Sequence, residues 1–412
     1  MPGPRRPAVH VVVPAWIDDP ARPSGGNTYD RRICSGLARS GWDVRLHRIR
    51  GDWPAPTAAD LTALAAVLHD MAGGALVLMD GLIGSAALPV LQPLAARLRL
   101  VVLIHLPLGV SVTPGGAGSV AEAAEAAGAA GTGSADDGGR AATAHAERSV
   151  LALAAAVITT SPWTRRWLLD RYGLPPDTVH TAVPGVDAAE PSCPSPGGGR
   201  LLCVAAVAPV KGHDVLVAAL AGLRDSAWHV RCVGSVSTDP AFAAGLRTRV
   251  ADAGLAGRVE WSGALTGPQL RAAYADADVL LVPSRVETYG MVATEALARG
   301  VPVIGSAVGG LPDAVGAVSA ERRGLPDAVG AVAVRTPGLL VPPDNPAALR
   351  DALRRWLSEP ALRADLRAAA SARRVQLRSW AVTTADVARV LVGVAGQPHP
   401  ASDLDRAGAA AR

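Results

Sequence analysis

Short runs rich in apolar residues, several of them apolar at nearly every position, alternate with stretches of helical spacing along this chain, and the alternation stops once and restarts. The first series comprises residues 8–13, 44–49, 75–80, 100–105 and 155–160, and the second 201–207, 229–234, 259–263, 279–283 and 301–305. A run that is apolar at every position suits a strand buried on both faces, and helical segments between such strands supply the covering layers. Each series therefore reads as a doubly wound, parallel α/β sheet. A Pro/Gly/Ser-rich segment, EPSCPSPGGGR at 190–200, separates them as a linker would. At 412 residues the chain is too long for one ordinary core and fits two. The expected organisation is a Rossmann-like domain over 1–190, a second over 191–378, and a closing segment, 379–412, whose helix could return to the first domain.

Two stretches depart from the alternation. Residues 110–145 are Gly- and Ala-rich and read as a surface insertion. Within them Gly116, Gly118 and Ala121 imitate a dinucleotide fingerprint, but no strand ends directly before them. The nonapeptide GLPDAVGAV occurs at 310–318 and again at 324–332, too short an echo for a solenoid, with the second copy expected to bulge as a lengthened loop.

Composition excludes several classes of protein. Hydrophobic residues make up 49% of the chain but aromatics only 3%, and no apolar run reaches the roughly 20 residues needed to cross a bilayer. The N-terminal apolar run is short and lacks a cleavage site, so the expected location is the cytoplasm. Residues 1–190 hold 16 Arg against 17 acidic residues, and residues 191–412 hold 24 basic against 19 acidic. Neither half carries the basic stripe with interleaved aromatics that nucleic acid requires, whereas a small anion in the second half suits the balance. Cys34, Cys193, Cys203 and Cys232 fit neither a zinc site nor a disulfide framework and read as buried thiols. Of the 40 basic residues one alone, Lys211, is lysine. A compact ammonium enters a tight phosphate cradle that a planar guanidinium would not, although compositional bias explains the count equally well.

The segment PSRVETYGMVATEALARG at 283–300 holds the most specific constellation. A strand ends at Pro283, and Glu287 precedes a helix that carries Glu295. The second carboxylate lies about two helical turns beyond the first, so both can serve one elongated ligand. The backbone N–H groups of Thr288, Tyr289, Gly290 and Met291, with Val292 beside them, are expected as free donors at the helix start.

This stretch resembles the Glu, seven residues, Glu signature of retaining glycosyltransferases of family 4, which have the GT-B fold: two Rossmann-like domains facing across a cleft. The resemblance covers almost the whole chain. It implies that Glu287 touches the donor sugar and Glu295 the nucleotide ribose. PVKGHDVLVAAL at 209–220 is similar to the family segment whose lysine neutralises the diphosphate, here Lys211. PSGGN at 23–27 resembles the N-terminal glycine loop, which implies backbone contacts at Gly25 and Gly26. His105, closing the run LVVLIH, resembles a histidine that lies between donor and acceptor. VGGLPDAVG at 308–316 is similar to the donor loop, with Gly309, Gly310 and Asp313 as its candidates.

One departure is that the family's arginine, five residues before the lysine, is here Ala206, with Arg285 as a candidate replacement. Asp276 and Asp278 form a D-A-D, but at a helix end leading into a strand they act as boundary residues, and neither a metal nor a cofactor is expected. The implied reaction moves a sugar from a UDP- or GDP-linked donor to a hydroxyl of a soluble small molecule, with Glu287, His105 and Lys211 as the catalytic set. A membrane-bound acceptor is less favoured, because the first half has no basic excess. The alternatives are a nucleotide-sugar epimerase of similar architecture and a nucleotide-sugar-binding protein with weak activity.

Overall fold

The computed structural model describes residues 6–20, 23–110, 135–316, 318–319 and 334–398. Two six-stranded, wholly parallel sheets organise them. The first contains β1 (Ala8–Pro14), β2 (Asp43–Ile49), β3 (Leu76–Asp80), β4 (Arg99–Ile104), β5 (Ala156–Thr159) and β6 (Val179–Thr181). The second contains β7 (Arg200–Val204), β8 (His229–Val233), β9 (Val259–Gly263), β10 (Val279–Val282), β11 (Val303–Ser306) and, after a short antiparallel pair β12 (Val318–Ser319) and β13 (Val334–Arg335), β14 (Gly338–Val341). The central strands are buried along their whole length, as in Leu76–Asp80 and Val279–Val282. Edge strand β2 instead exposes Asp43 and Arg48, charges that discourage further pairing.

Strand order places the chemistry. The first sheet runs β2-β1-β3-β4-β5-β6 and the second β14-β11-β10-β7-β8-β9. Each order reverses once, between β1 and β3 and between β7 and β10, and such switch points open a crevice beyond the carboxyl ends of the strands.

Apolar side chains fill both faces of each sheet. One face of the first is covered from far along the chain by the closing helix that the sequence offered for it: Trp380, Val387, Leu391 and Val394 of the helix Trp380–Gly396 pack with Val9, Val11, Ile33 and Leu37. Gly36 makes this docking possible: a Cβ there would lie 2.2 Å from Thr384 Oγ1. Polar contacts secure it, with Thr383 Oγ1 donating to the Val183 carbonyl at 2.7 Å and the Arg99 guanidinium to the carbonyls of Ala395 and Gln397.

Several expectations need correction. The glycines of the PSGGN segment are not a loop but the opening turn of the first long helix, which begins at Gly25 because the Ser24 hydroxyl accepts from Asn27 N at 3.0 Å and caps it there. Part of the expected insertion is ordered chain, since Ala135–Leu153 is a helix with Val150 and Leu151 buried in the first core. Residues 111–134, with the imitation fingerprint, lie outside the described residues. The first GLPDAVGAV copy supplies the helix Leu311–Val315, and the second copy lies outside the described residues. Cys203 and Cys232 are buried, but Cys193 is exposed and Cys34 intermediate. Asp278, by contrast, serves as a boundary residue: its buried carboxylate accepts from Ser195 N at 2.6 Å and Arg200 N at 2.8 Å. Among the described residues no helix is long and apolar enough to cross a membrane.

Candidate active site

The turn after β7 and the loop after β10 meet at the second switch point. Gly212 adopts φ +67°, and a Cβ there would sit 2.0 Å from the Pro283 carbonyl oxygen, so only glycine lets the two segments approach this closely. Arg285 N donates to the Val210 carbonyl at 2.8 Å and ties the segments by their backbones. The result is an ion pair between Lys211 Nζ and Glu287 Oε2 at 2.8 Å, the two residues that the sequence marks out separately.

Arg285 does not replace the arginine missing at position 206. Its guanidinium makes five hydrogen bonds, to Pro209 O at 2.5 Å, to the two carboxylate oxygens of Asp214 at 2.9 and 2.8 Å, and to Asp344 Oδ1 at 3.0 and 2.7 Å. A guanidinium has five N–H donors, so none is left for a phosphate. The side chain acts as a strut for the loop that carries Glu287.

The helix after that loop opens at Met291, three residues later than expected, with Gly290 at φ +93° as its N-cap. Thr288 and Tyr289 therefore lie before it. The Thr288 carbonyl packs against Gly310, and Tyr289 is buried, which pushes its hydroxyl up to about 12. Glu295 lies within the helix and accepts from the Tyr274 hydroxyl at 2.8 Å, while the same hydroxyl also reaches the Val292 carbonyl at 3.4 Å. Burial raises the Glu295 carboxyl above its ordinary range, against the pull of Tyr274 and Arg299. Asp187 and Arg32 of the first half also act weakly on its charge, in opposite directions.

Gly309 and Gly310 have a structural reason to be glycine. A Cβ at Gly309 would meet the Glu287 carbonyl oxygen at 1.9 Å, and one at Gly310 the Thr288 carbonyl oxygen at 2.1 Å. They let the 308–310 turn lie flat against the backbone of Glu287 and Thr288, where Gly310 N donates to Glu287 O at 2.8 Å. Asp313, on the following helix, approaches Arg166 of the first half at 3.9 Å.

At the first switch point Gly25 and Gly26 form the opening turn of their helix. A Cβ on Gly25 would lie 3.3 Å from Met291 Sδ, and one on Gly26 would lie 3.1 Å from His105 Cδ2. The glycine pair thus touches the second half on one side and His105 on the other. His105, just past β4, places Nε2 at 2.9 Å from Asp30 Oδ1 and 3.9 Å from Asp80 Oδ2. Burial alone would lower the pKa of its ring, but Asp30 and Asp80 outweigh it and raise the value. Burial and the charge of Asp30 push the Asp80 carboxyl well above its usual range.

Three of these residues escaped the sequence reading: Asp30, Asp80 and Tyr274. Asp30 follows Gly26 by one helical turn and Asp80 ends an apolar strand, so a search for polar residues at strand ends and helix starts would have found both. No comparable signal marks Tyr274, which reaches Glu295 from another helix.

Known proteins match both halves of the chain. The family described as Glycosyl transferases group 1 matches residues 195–373, and the one described as Glycosyltransferase Family 4 matches residues 23–190. The chain is 32% identical over 264 residues to a D-inositol 3-phosphate glycosyltransferase of Jonesia denitrificans, covering 59% of this chain and 58% of that protein. It is 34% identical over 262 residues to the protein of the same name from Kineococcus radiotolerans, covering 58% and 57%. The matches thus span less than three-fifths of these relatives' length. Among solved structures, sucrose-phosphate synthase from Thermosynechococcus elongatus superposes with a TM-score of 0.70 at 23% identity, covering 94% of this chain and 99% of that one. Anabaena HepE in complex with UDP-glucose does so with 0.69 at 15% identity, covering 94% and 99%.

Proposed function

Because the chain belongs to glycosyltransferase family 4 and has its GT-B fold, we propose that it transfers a sugar from a UDP- or GDP-linked donor to a hydroxyl of a small, soluble acceptor in the cytoplasm, retaining the anomeric configuration. The observation that carries this reading is the Lys211–Glu287 pair at one switch point, across from Gly25, Gly26 and His105 at the other. The second half, with its basic excess, is assigned the donor, and the first half the acceptor.

In this proposal the donor diphosphate takes Lys211 from Glu287, and Glu287 turns to the sugar hydroxyls. Glu295, as a carboxylate, accepts from the ribose diol. Lys211 and the first N–H groups of the helix at Met291 stabilise the leaving diphosphate, and the attacking hydroxyl passes its proton to that phosphate on the same face. His105 lies between the two substrates. No step in this scheme requires a divalent ion. The relatives' name specifies D-inositol 3-phosphate, and HepE was solved with UDP-glucose, which makes these the first acceptor and donor to assay.

The test is a matrix of UDP- and GDP-sugars against polyol and polyol-phosphate acceptors, read by mass spectrometry, with proton NMR of the product for its anomeric configuration. A retained glycoside formed undiminished in a chelator is expected. Sugar conversion without acceptor would identify an epimerase instead, and donor binding without product from any pair would leave only a binding protein.

A further inference from the structure

Two buried carboxylates converge on one imidazole at the first switch point, and the proposed transfer leaves them unused. Asp30 comes from the helix Gly25–Arg39, Asp80 from the end of β3 and His105 from the end of β4, and one donor atom of each lies within 4.8 Å of the others. The carboxylate side chains are 3% exposed and the ring 18%. Asp80 Oδ1 accepts from Leu82 N at 2.6 Å and Asp30 Oδ1 pairs with the ring, while Asp30 Oδ2 is buried without a hydrogen-bond partner. An unpaired buried carboxylate oxygen is costly, and a proton shared with Asp80 relieves it.

The surroundings offer little competition. Asp30 and Asp80 line a small cavity whose other walls are Val11, Val13, Ile33, Leu78, Leu103 and the Cys34 thiol. Burial pushes that thiol up to about 12, so it stays protonated. The Tyr29 hydroxyl is committed to the Ala182 carbonyl at 2.8 Å, and the Tyr29 ring packs edge-on against His105 at 5.3 Å. Glu147, on the helix Ala135–Leu153, holds Leu108 N and Gly109 N, just past the histidine. Gly26 lies against the imidazole face. The ring is thus held on its sides and through Nε2, and Nδ1 makes no hydrogen bond to another described residue.

We propose that Asp30 and Asp80 are positioning residues that share one proton and hold His105 through Nε2, so that a cationic ring presents Nδ1–H as a donor to a substrate oxygen in the cleft. This rests on the transferase reading for its consequence in turnover, but the state of the ring is measurable without it. With both nitrogens protonated the ring donates in two directions, which a neutral tautomer bonded to a carboxylate cannot do.

The experiment is a nitrogen-detected NMR titration of His105 in the full chain, wild type and with Asp30→Asn, Asp80→Asn and His105→Ala, beside donor and acceptor kinetics of the same proteins. The His105 resonance, assigned by its loss in His105→Ala, is expected to titrate above an ordinary histidine in the wild type. Its midpoint should move down in Asp30→Asn, and by less in Asp80→Asn, where the lost group is one that carries the shared proton. In turnover, Asp30→Asn should lower kcat/KM by about tenfold to a hundredfold and add little on top of His105→Ala, since both changes remove one function. An unmoved midpoint in Asp30→Asn overturns the proposal even if the protein proves not to be a transferase. Full additivity of the two substitutions overturns it as well, as does a stoichiometric divalent ion in the purified protein that Asp30→Asn abolishes. A normal titration pattern with no transfer would count against the function alone.

Discussion

Lys211 Nζ lies 2.8 Å from Glu287 Oε2, and the lysine side chain is 28% exposed against 14% for the glutamate, so the cation is the more open member of the pair. A partly exposed pair of this kind adds little stability of its own. It keeps two long side chains ordered where an incoming anion can exchange with the carboxylate.

Lys211→Ala should therefore lower kcat/KM by about 10²–10³ while changing stability by less than about 1 kcal/mol. Steady-state kinetics beside thermal denaturation check both halves of the statement. Turnover within threefold of wild type would remove Lys211 from the site.

Glu295 gives donor binding a pH dependence of known sign. Burial holds its pKa above the ordinary carboxylate value, and the Tyr274 hydroxyl opposes that rise. The ionised form, which accepts from a diol, is lost as pH falls through this raised pKa, so donor KM should climb on the acid side. Tyr274→Phe removes an opposing group and should start the climb at a higher pH. Glu295→Gln should flatten the profile at a KM raised about tenfold. Donor KM measured across pH for the three proteins decides it.

Arg285→Ala leaves Asp214 and Asp344 facing one another without the guanidinium between them. Breaking a largely buried pair costs about 3 kcal/mol, which in a domain of this size corresponds to a fall in melting temperature of roughly 5–10 °C. Asp214, whose pKa burial alone would raise, is held low by Arg285. A lowered carboxyl stabilises the fold above its unfolded pKa and loses that contribution as pH drops through the folded value, so the gap between wild type and variant should narrow in acid. Arg285→Lys, which keeps the charge but not the five-donor fork, should recover less than half of the loss.

Gly310→Ala places a Cβ 2.1 Å from the Thr288 carbonyl oxygen, which the backbone cannot accommodate without moving the loop that bears Glu287. Turnover should fall by about a hundredfold or more, with a lowered melting temperature. Gly393→Ala, where a Cβ meets nothing within 4 Å, is the matched control.

The central strands could be read from the chain because burial on both faces leaves an unbroken apolar run. The edge strands β6 and β14 could not. Val179–Thr181 is three residues long with a histidine and a threonine, and Gly338–Val341 begins with glycine. An edge strand has one neighbour and is partly exposed, so it needs no such run; the other two edges, β2 and β9, were legible because they are longer, seven and five residues. The Lys211–Glu287 site was legible because each residue sits in a local motif. Arg285 was misread because a charge near a phosphate site looks the same in sequence whether its donors are open or taken. Only Asp214 and Asp344, 71 and 59 residues away in the chain, show that they are taken. The start of the helix at Met291 was misjudged for a related reason: Gly290 at φ +93° delays it, and a glycine that permits a turn does not announce where the turn lies.

The docking of Trp380–Gly396 on the first sheet sets an order of events at the ribosome. The half made first lacks one wall of its interior until this helix has emerged, by which time the half made second already has every strand it needs. Maturation should therefore finish at the amino-terminal sheet, and ribosome-bound chains stalled where residues up to 379 have emerged but the helix Trp380–Gly396 is still inside the tunnel should show the second domain resistant to protease while the first is still cut.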